Sequence, residues 1–115
     1  MVANYLPSQG DLVWVNLDPA RGHEQKGFRP ALVVSADEYN KKSSLILLCP
    51  ITSKTKDYPF EIKLEIEKIK GAVLVDQIRS LDWRSRKIKF IGRISDNSLA
   101  EILGKLGLLL RNNFN

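Results

Sequence analysis

A histidine, a carboxylate and an arginine lie close together in residues 22–30, which read GHEQKGFRP. The three side chains are His23, Glu24 and Arg29. Imidazole and carboxylate groups can take up and return protons, and a guanidinium can hold a phosphate through two parallel hydrogen bonds. The segment therefore contains the groups needed for acid–base chemistry on a phosphate.

Two predicted strands flank this segment and would position it. An apolar run indicates a strand over residues 12–17 that ends at the turn Asp18-Pro19, and a second run indicates a strand over residues 30–35. A loop between two strands is a favourable place for functional groups, because the rigid strands aim its side chains while its backbone remains solvated.

The rest of the chain predicts further short strands, small helical insertions and one terminal helix. The additional strands are predicted at residues 44–50, 59–66, 72–75 and 87–94. Alternation in the strand over 59–66 places Glu61, Lys63 and Glu65 on a solvated face, and alternation in the last strand places Phe90 inward and Ile91 outward. Short helical turns are expected at residues 37–40 and 80–86. This pattern favours an α+β fold that is mainly β, a small curled β-barrel with a packed C-terminal helix, although another α+β sheet would fit it equally well.

The C-terminal helix has the clearest signals. Residues 98–101, SLAE, match a capping box that would begin the helix at Ser98. An apolar stripe at helical spacing follows, formed by Leu99, Ile102, Leu103, Leu106, Leu109 and Leu110. Gly104 and Gly107 lie off this stripe and are unfavourable inside a helix, so the close approach of another element is one reason to expect them there.

Length, composition and charge favour a single globular domain over residues 1–115 with an affinity for polyanions. The chain is 43% hydrophobic and 27% charged, and its net charge is +5. Residues 79–93 contain six basic side chains against Asp82 alone, which equals the whole net charge. A basic segment favours nucleic acid through the release of counterions, and an ordinary solvated face is the alternative.

A few features exclude other classes of protein. Cys49 is the only cysteine, so it cannot form an intramolecular disulfide, and its apolar surroundings predict a buried core thiol. No Cys/His set with zinc-ligand spacing exists, and no stretch approaches the roughly 20 apolar residues that a membrane-spanning helix needs. The N-terminus lacks the features of a secretory leader. We therefore expect a soluble cytoplasmic protein.

Several motifs, taken in order, resemble those of the MazF/PemK/Kid family of bacterial toxin endoribonucleases. The motifs are GDLVWVNLDP (residues 10–19), GHEQ (22–25), RP (29–30), PITS (50–53), YPF (58–60) and DQ (76–77). The resemblance spans nearly the whole chain. It implies an SH3-like barrel of the CcdB/PemK type, usually a homodimer, and an enzyme that cleaves RNA.

RNA cleavage needs no external nucleophile, because the 2′-hydroxyl can attack the adjacent phosphorus once a base removes its proton. The resemblance implies Glu24, Arg29 and Thr52 as catalytic residues. Glu24 is the expected general base, Arg29 the group that neutralises charge on the phosphate, and Thr52 a hydroxyl donor to a phosphate oxygen. A solvated glutamate, a salt-bridged arginine and a threonine that satisfies its own turn are the structural alternatives.

Further residues are predicted to bind RNA. They are His23, Phe28, Ser53, Lys54, Lys56, Asp76, Gln77, Arg79, Arg84 and Arg86. Phe28 is the best candidate for stacking on a base, whereas Trp14 is expected in the core and Trp83 at a dimer or antitoxin interface. In the Kid-like branch an arginine two residues before the aspartate takes part in activity, and Leu74 stands at that position here.

The resemblance implies the toxin of a type II toxin–antitoxin system that arrests growth. It would cut single-stranded RNA, including mRNA, at a short sequence without metal or cofactor, leaving a 2′,3′-cyclic phosphate and a 5′-hydroxyl. A MazE-like antitoxin would be its partner, and operator DNA would be bound only through the complex with that antitoxin. Two alternatives remain, a CcdB-like toxin that binds gyrase and an inactive RNA-binding module.

Overall fold

The computed structural model describes residues 5–112. Seven strands and two helices follow one another, with one 3₁₀ turn at Val75–Gln77. The strands are β1 Asp11–Asn16, β2 Phe28–Val33, β3 Leu45–Thr52, β4 Glu61–Ile66, β5 Ile69–Leu74, β6 Arg79–Asp82 and β7 Lys89–Arg93, and the helices are α1 Asp37–Ser43 and α2 Asp96–Leu109. No helix among these residues is long and apolar enough to span a membrane.

The strands form one curled antiparallel sheet in which β3 is central. The order along the sheet is β4-β5-β3-β2-β1-β7, and β6 pairs with β3. On the edge of β3 opposite β2, residues 45–48 pair with β6 and residues 51–52 pair with β5. The last residues of β3 therefore lie beside β5, which leads into the 3₁₀ turn.

The central strands have buried residues on both faces of the sheet. In β1 the fully buried Leu12 belongs to one apolar cluster, while Val13 and Val15 belong to another. The first cluster includes Ile102 and Leu106 of α2. The predicted mainly-β, SH3-like barrel with a packed C-terminal helix is confirmed, since the chain folds as a curled half-barrel covered by α2.

The helical turn predicted at residues 80–86 is corrected in part, because residues 80–82 belong to strand β6 and turn residues follow only at 83–85. Leu81 is 3% exposed, whereas Ser80 and Asp82 on either side of it are exposed. The alternation of buried and exposed side chains is therefore present but very short. Only the pairing with β3 identifies the strand.

Strand β7 corrects a second prediction. The expected alternation placed Phe90 inward and Ile91 outward, but Phe90 is 48% exposed and Ile91 packs against the first cluster. The reason is that β7 is the last strand of the sheet, so Phe90 lies at the edge beside Val13 and is only partly covered, by the ring of Tyr5. An irregularity in the pairing with β1 leaves Ile91 unpaired between Phe90 and Gly92.

The C-terminal helix is confirmed, but it begins earlier than predicted. Ser95 is the N-cap, and its hydroxyl accepts a hydrogen bond from the Ser98 backbone N–H at 3.1 Å. The stripe packs as expected through Ile102 and Leu106, whereas Leu110 is 83% exposed. The expected close approach of another element to Gly104 and Gly107 is wrong, because no atom of another described element lies within 4 Å of a Cβ added at either position.

The thiol of Cys49 lies in the core as predicted. Burial, and secondarily the charge of Asp76, raise the pKa of this thiol to about 12. Because the thiolate is the reactive form, the thiol is inert at neutral pH.

Candidate active site

Five segments line an open cavity of about 530 Å³. They are the β1–β2 loop, the start of β2, the end of β3 with the loop that follows it, the first residue of β4, and the segment from β5 into the 3₁₀ turn. The lining residues are His23, Gln25, Arg29, Thr52, Ser53, Lys54, Lys56, Tyr58, Glu61, Leu74, Asp76 and Gln77.

The cavity brings together eight of the residues predicted for catalysis or RNA binding. These are His23, Arg29, Thr52, Ser53, Lys54, Lys56, Asp76 and Gln77. Five others do not line it, namely Glu24, Phe28, Arg79, Arg84 and Arg86. Arg29, Lys54 and Lys56 supply positive charge against Glu61 and Asp76, which suits a phosphodiester ligand.

Arg29 is held at the start of β2, opposite Val15 of β1. Its Nε donates a hydrogen bond to the backbone carbonyl of Lys26 at 2.6 Å. This bond uses one of the five N–H donors of the guanidinium and fixes the direction of the side chain. The terminal nitrogens of a guanidinium oriented in this way are the pair that can bind a phosphate side by side.

Thr52, the last residue of β3, is 5% exposed. Its Oγ1 accepts a hydrogen bond from the Lys54 backbone N–H at 3.1 Å, so the hydroxyl stabilises the local turn, as the structural alternative expected. A hydroxyl can accept and donate together, so its O–H can still point to a substrate oxygen. A Cβ added to Gly71 would lie 2.1 Å from the Thr52 carbonyl oxygen, so β5 reaches Thr52 only because residue 71 is glycine.

The loop after β3 is held by acidic residues of the cavity wall. The Lys56 backbone N–H donates to the Glu61 carboxylate at 3.0 and 3.2 Å, and the Tyr58 hydroxyl donates to Asp76 Oδ2 at 3.0 Å. This hydrogen bond, together with the charge of Asp76, raises the pKa of Tyr58. The phenol therefore remains a hydrogen-bond donor at neutral pH.

Glu24 is exposed on the β1–β2 loop and does not line the cavity. Its Oε1 accepts a hydrogen bond from the Arg21 backbone N–H at 2.7 Å, which closes a turn around Gly22. The φ of Gly22 is +59°, a left-handed conformation that glycine adopts without strain. The predicted catalytic carboxylate is thus close in sequence to His23 but turned toward its own loop.

Phe28 forms an aromatic pair outside the cavity. Its ring stacks on Trp14 with centroids 5.4 Å apart and planes 9° from parallel. Phe28 is 59% exposed, so one face remains open, whereas Trp14 is half-buried rather than fully in the core. Trp83 packs against the second cluster and its Nε1 donates to the Asn40 carbonyl at 2.9 Å.

The basic segment after the 3₁₀ turn contacts protein groups. Arg79 Nη1 donates to the Leu17 carbonyl at 2.8 Å, and Arg86 Nη1 donates to the carbonyls of Asn16 and Asp18 at 2.5 and 2.9 Å. The Arg84 guanidinium lies over the Trp83 ring, 5.0 Å from its centroid. Two of these arginines therefore hold the beginning of the β1–β2 loop.

Sequence reasoning missed four of the lining residues, Gln25, Tyr58, Glu61 and Leu74. Gln25 and Tyr58 stand inside the recognised GHEQ and YPF motifs, which was an available signal. Glu61 appeared only as one of the solvated positions of β4. Leu74, at 6% exposure, forms an apolar wall at the position where the Kid-like branch has an arginine. Within residues 5–112, no three His, Cys, Asp or Glu side chains form a group that could hold a metal ion.

Relatives of known name match nearly the whole chain. The endoribonuclease toxin MazF of Escherichia coli strain K12 is 41% identical over 110 residues, which cover 96% of this chain and 99% of that protein. The endoribonuclease toxin ChpB of the same strain is 39% identical over 104 residues, covering 85% of this chain and 89% of that protein.

Solved structures of MazF from Deinococcus radiodurans have the same fold. One of MazF alone has a TM-score of 0.87 and 49% identity, covering 93% of this chain and 98% of that one. Another, of MazE–MazF, has a TM-score of 0.81 and 49% identity over 93% and 97% of the two chains. The family model for the PemK-like, MazF-like toxins of type II toxin–antitoxin systems matches residues 8–110. This chain belongs to that family of toxins.

Proposed function

We propose that this endoribonuclease cuts single-stranded RNA at a short sequence by attack of the 2′-hydroxyl on the adjacent phosphorus. The observation that carries the proposal is the presence of Arg29 and Thr52 in one cavity with Lys54 and Lys56. Together they offer a guanidinium, a hydroxyl and two ammonium groups to one phosphodiester. The relatives that match this chain are named endoribonucleases.

The proposed reaction forms a bond between O2′ and phosphorus and breaks the bond from phosphorus to the 5′-oxygen of the next nucleotide. The products are a 2′,3′-cyclic phosphate and a 5′-hydroxyl. Glu24 is assigned as the base that accepts the 2′-proton, after the exposed turn that it now closes with Arg21 opens toward the substrate. The leaving 5′-oxygen takes up a proton from His23, which lines the cavity, or from water, and His23 otherwise contacts RNA.

Arg29 and Thr52 are assigned to the phosphate. Negative charge increases on the phosphate oxygens as the new bond forms, and fixed donors aimed at those oxygens lower the barrier. Lys54 and Lys56 hold the phosphates of neighbouring nucleotides, and Ser53 and Asp76 contact the strand at the cavity wall. Phe28 offers its open face to an unpaired base. These groups supply acid, base and charge stabilisation, so the proposed reaction is metal-independent and uses no cofactor.

The partners proposed for this chain follow from its relatives and its charge. A structure of MazE–MazF from Deinococcus radiodurans is among the matches, and we assign a MazE-like antitoxin to this chain. Because the chain carries a net charge of +5, an acidic antitoxin segment would compete with RNA for the basic surface. Homodimerisation, binding of operator DNA only through the antitoxin complex, and a cytoplasmic location complete the proposal.

Gyrase binding is the second candidate function, as in CcdB-like toxins that share this barrel. The cavity speaks against it, because a toxin that only binds another protein does not require Arg29, Thr52 and two lysines around a space of this size. A catalytically inactive RNA-binding module would need Lys54 and Lys56 to hold phosphates. It would not need the Thr52 hydroxyl and the Arg29 guanidinium in the same cavity.

Incubating the purified protein with a long single-stranded RNA in excess EDTA tests the proposal, with fragment ends identified by mass. Discrete fragments that end in cyclic phosphate are expected. The Arg29→Ala and Thr52→Ala variants should cleave roughly 10²–10³-fold more slowly, by analogy with the loss of a single donor at other anionic transition states. Arg111→Ala is the matched control, since Arg111 is exposed beyond α2 and does not line the cavity. Intact RNA of diverse sequence would favour gyrase binding or an inactive module.

A further inference from the structure

The side-chain amide of Gln77 joins the 3₁₀ turn to the β1–β2 loop. Its Oε1 accepts a hydrogen bond from the Gln25 backbone N–H at 2.9 Å. Its Nε2 donates to the His23 carbonyl at 3.2 Å. These two bonds connect positions more than fifty residues apart in the chain, and they lie on either side of Glu24.

Gln77 is the second of two attachments between the loop and the segment that begins at the 3₁₀ turn. The first is formed by Arg79 and Arg86, which donate to carbonyls at residues 16–18. The return of the loop to β2 is fixed separately, because the Leu17 N–H donates to the Gly27 carbonyl at 2.8 Å. Between these ends, Gln77 is the contact that holds the middle of the loop beside the cavity.

We propose that Gln77 is a positioning residue, which orients the His23–Gln25 part of the loop instead of binding RNA itself. This inference rests on the proposed function, since it concerns the same cavity. Both polar atoms of the amide are already hydrogen-bonded to the loop backbone: the oxygen accepts from an N–H, and the nitrogen donates to a carbonyl. This proposal replaces the sequence prediction that Gln77 contacts RNA directly with an indirect effect, exerted through the loop that Gln77 orients.

Loss of the amide would leave the loop attached only at its ends. Both bonds stabilise the held conformation, so without them the loop should open roughly tenfold or more often. His23 and Gln25 would then spend less time facing the cavity.

Amide hydrogen exchange of the free protein gives the first test, and it requires no nuclease activity. In Gln77→Met, which has a similar length without the amide, the Gln25 amide should exchange about tenfold faster while amides of β3 remain unchanged. Gln77→Glu keeps an acceptor for the Gln25 N–H and should give an intermediate rate. Gln9→Met is the matched control, because Gln9 donates to the Val34 carbonyl far from the cavity.

A double-mutant cycle then separates positioning from direct RNA contact. In the wild-type background, Gln77→Met should lower kcat/KM for RNA cleavage about tenfold. In the background of His23→Ala with Gln25→Ala, the same substitution should have little effect, since the groups that it positions are gone.

An unchanged exchange rate for Gln25 in Gln77→Met would overturn the inference, as would an equal loss of kcat/KM in both backgrounds. Absence of RNA cleavage by the wild-type protein would instead overturn the proposed function, so the two failures are distinguishable.

Discussion

At the scale of the residue, the two groups that we assign to the phosphate already have hydrogen-bond partners within the chain. The Thr52 hydroxyl accepts from Lys54 N–H, and the Arg29 Nε donates to the Lys26 carbonyl. These bonds orient each group before substrate arrives, which reduces the entropy that must be lost in the transition state. The structural and functional roles of Thr52 and Arg29 are therefore compatible rather than alternatives.

Substitutions at Thr52 should separate these two roles. Thr52→Val keeps the volume but removes the hydroxyl, so the free energy of unfolding should fall by about 1 kcal/mol and cleavage should slow roughly 10²–10³-fold. Thr52→Ser keeps the hydroxyl and should retain most of the cleavage rate. Urea unfolding and single-turnover cleavage measure the two effects, and a Thr52→Val protein with normal cleavage would remove Thr52 from the mechanism.

The Tyr58–Asp76 hydrogen bond leads to a prediction about pH. Asp76 raises the pKa of Tyr58, so this contact stabilises the fold fully below the ordinary phenol pKa of about 10, and the stabilisation is lost as pH rises through the folded-state value. In Asp76→Asn the negative charge is gone, and the pKa of Tyr58 should fall toward its ordinary value. Resonances of the Tyr58 ring followed through an alkaline titration measure the change.

Asp82→Asn is the control for that titration, since Asp82 is exposed and its carboxylate accepts from the backbone N–H groups of Arg84 and Ser85. It should leave Tyr58 unaffected. A Tyr58 titration that is the same in wild type and Asp76→Asn would show that the hydrogen bond does not form in solution.

At the scale of the element, the site depends on how closely β5 approaches the end of β3. Residue 71 allows this approach because it has no side chain, and the position meets the Thr52 backbone rather than a flexible side chain. A displacement there would move Thr52 directly. The glycine at residue 71 is therefore needed both for the packing of β5 against β3 and for the position of Thr52.

Two glycine-to-alanine substitutions should have opposite effects on stability. Gly71→Ala places a Cβ against backbone and should lower the free energy of unfolding by about 3 kcal/mol or more. Gly104→Ala lies on an open face of α2 and should raise it by about 0.5–1 kcal/mol, because alanine is the better helix former. Denaturant unfolding measures both. Equal stability of Gly71→Ala and the wild type would contradict the strand geometry.

The elements that could be predicted from sequence are those in which a pattern of apolar and polar residues repeats several times. Examples are the alternation that gives β4 its solvated face and the apolar stripe of α2. Strand β6 is four residues long and is identified by its pairing with β3, a long-range contact that no local pattern contains. The cap of α2 was misplaced because Ser98 with Glu101 matches a capping box, whereas Ser95 caps the helix without that glutamate.

The candidate site was predictable only in part, for the same physical reason. Arg29 and Thr52 were identified through resemblance, and the fold brings them together from the ends of β2 and β3. The contacts of Gln77 with the loop, and of Tyr58 with Asp76, join distant segments and have no signature in either segment alone. The basic segment suggested RNA contacts, but Arg79 and Arg86 bond to the chain itself, which composition cannot reveal.

At the scale of the whole molecule, the curled sheet and its loops line the cavity together. Arg29 and Thr52 belong to strands of the sheet, and His23, Lys54 and Lys56 belong to loops that reach the same space. The proposed function expects the net charge of +5 to attract a polyanion, with an affinity that should fall as salt concentration rises. Fold, charge and local chemistry thus support the proposal of a phosphodiester substrate.

The most direct test uses an RNA that contains the mapped cut site and a single 2′-deoxynucleotide immediately before it. Because the 2′-hydroxyl is the proposed nucleophile, the substituted strand should bind and compete with the all-RNA strand but remain uncut at that site under single-turnover conditions. Cleavage of the substituted strand at the rate of the all-RNA strand would contradict internal attack by the 2′-hydroxyl, and with it the mechanism assigned to this cavity.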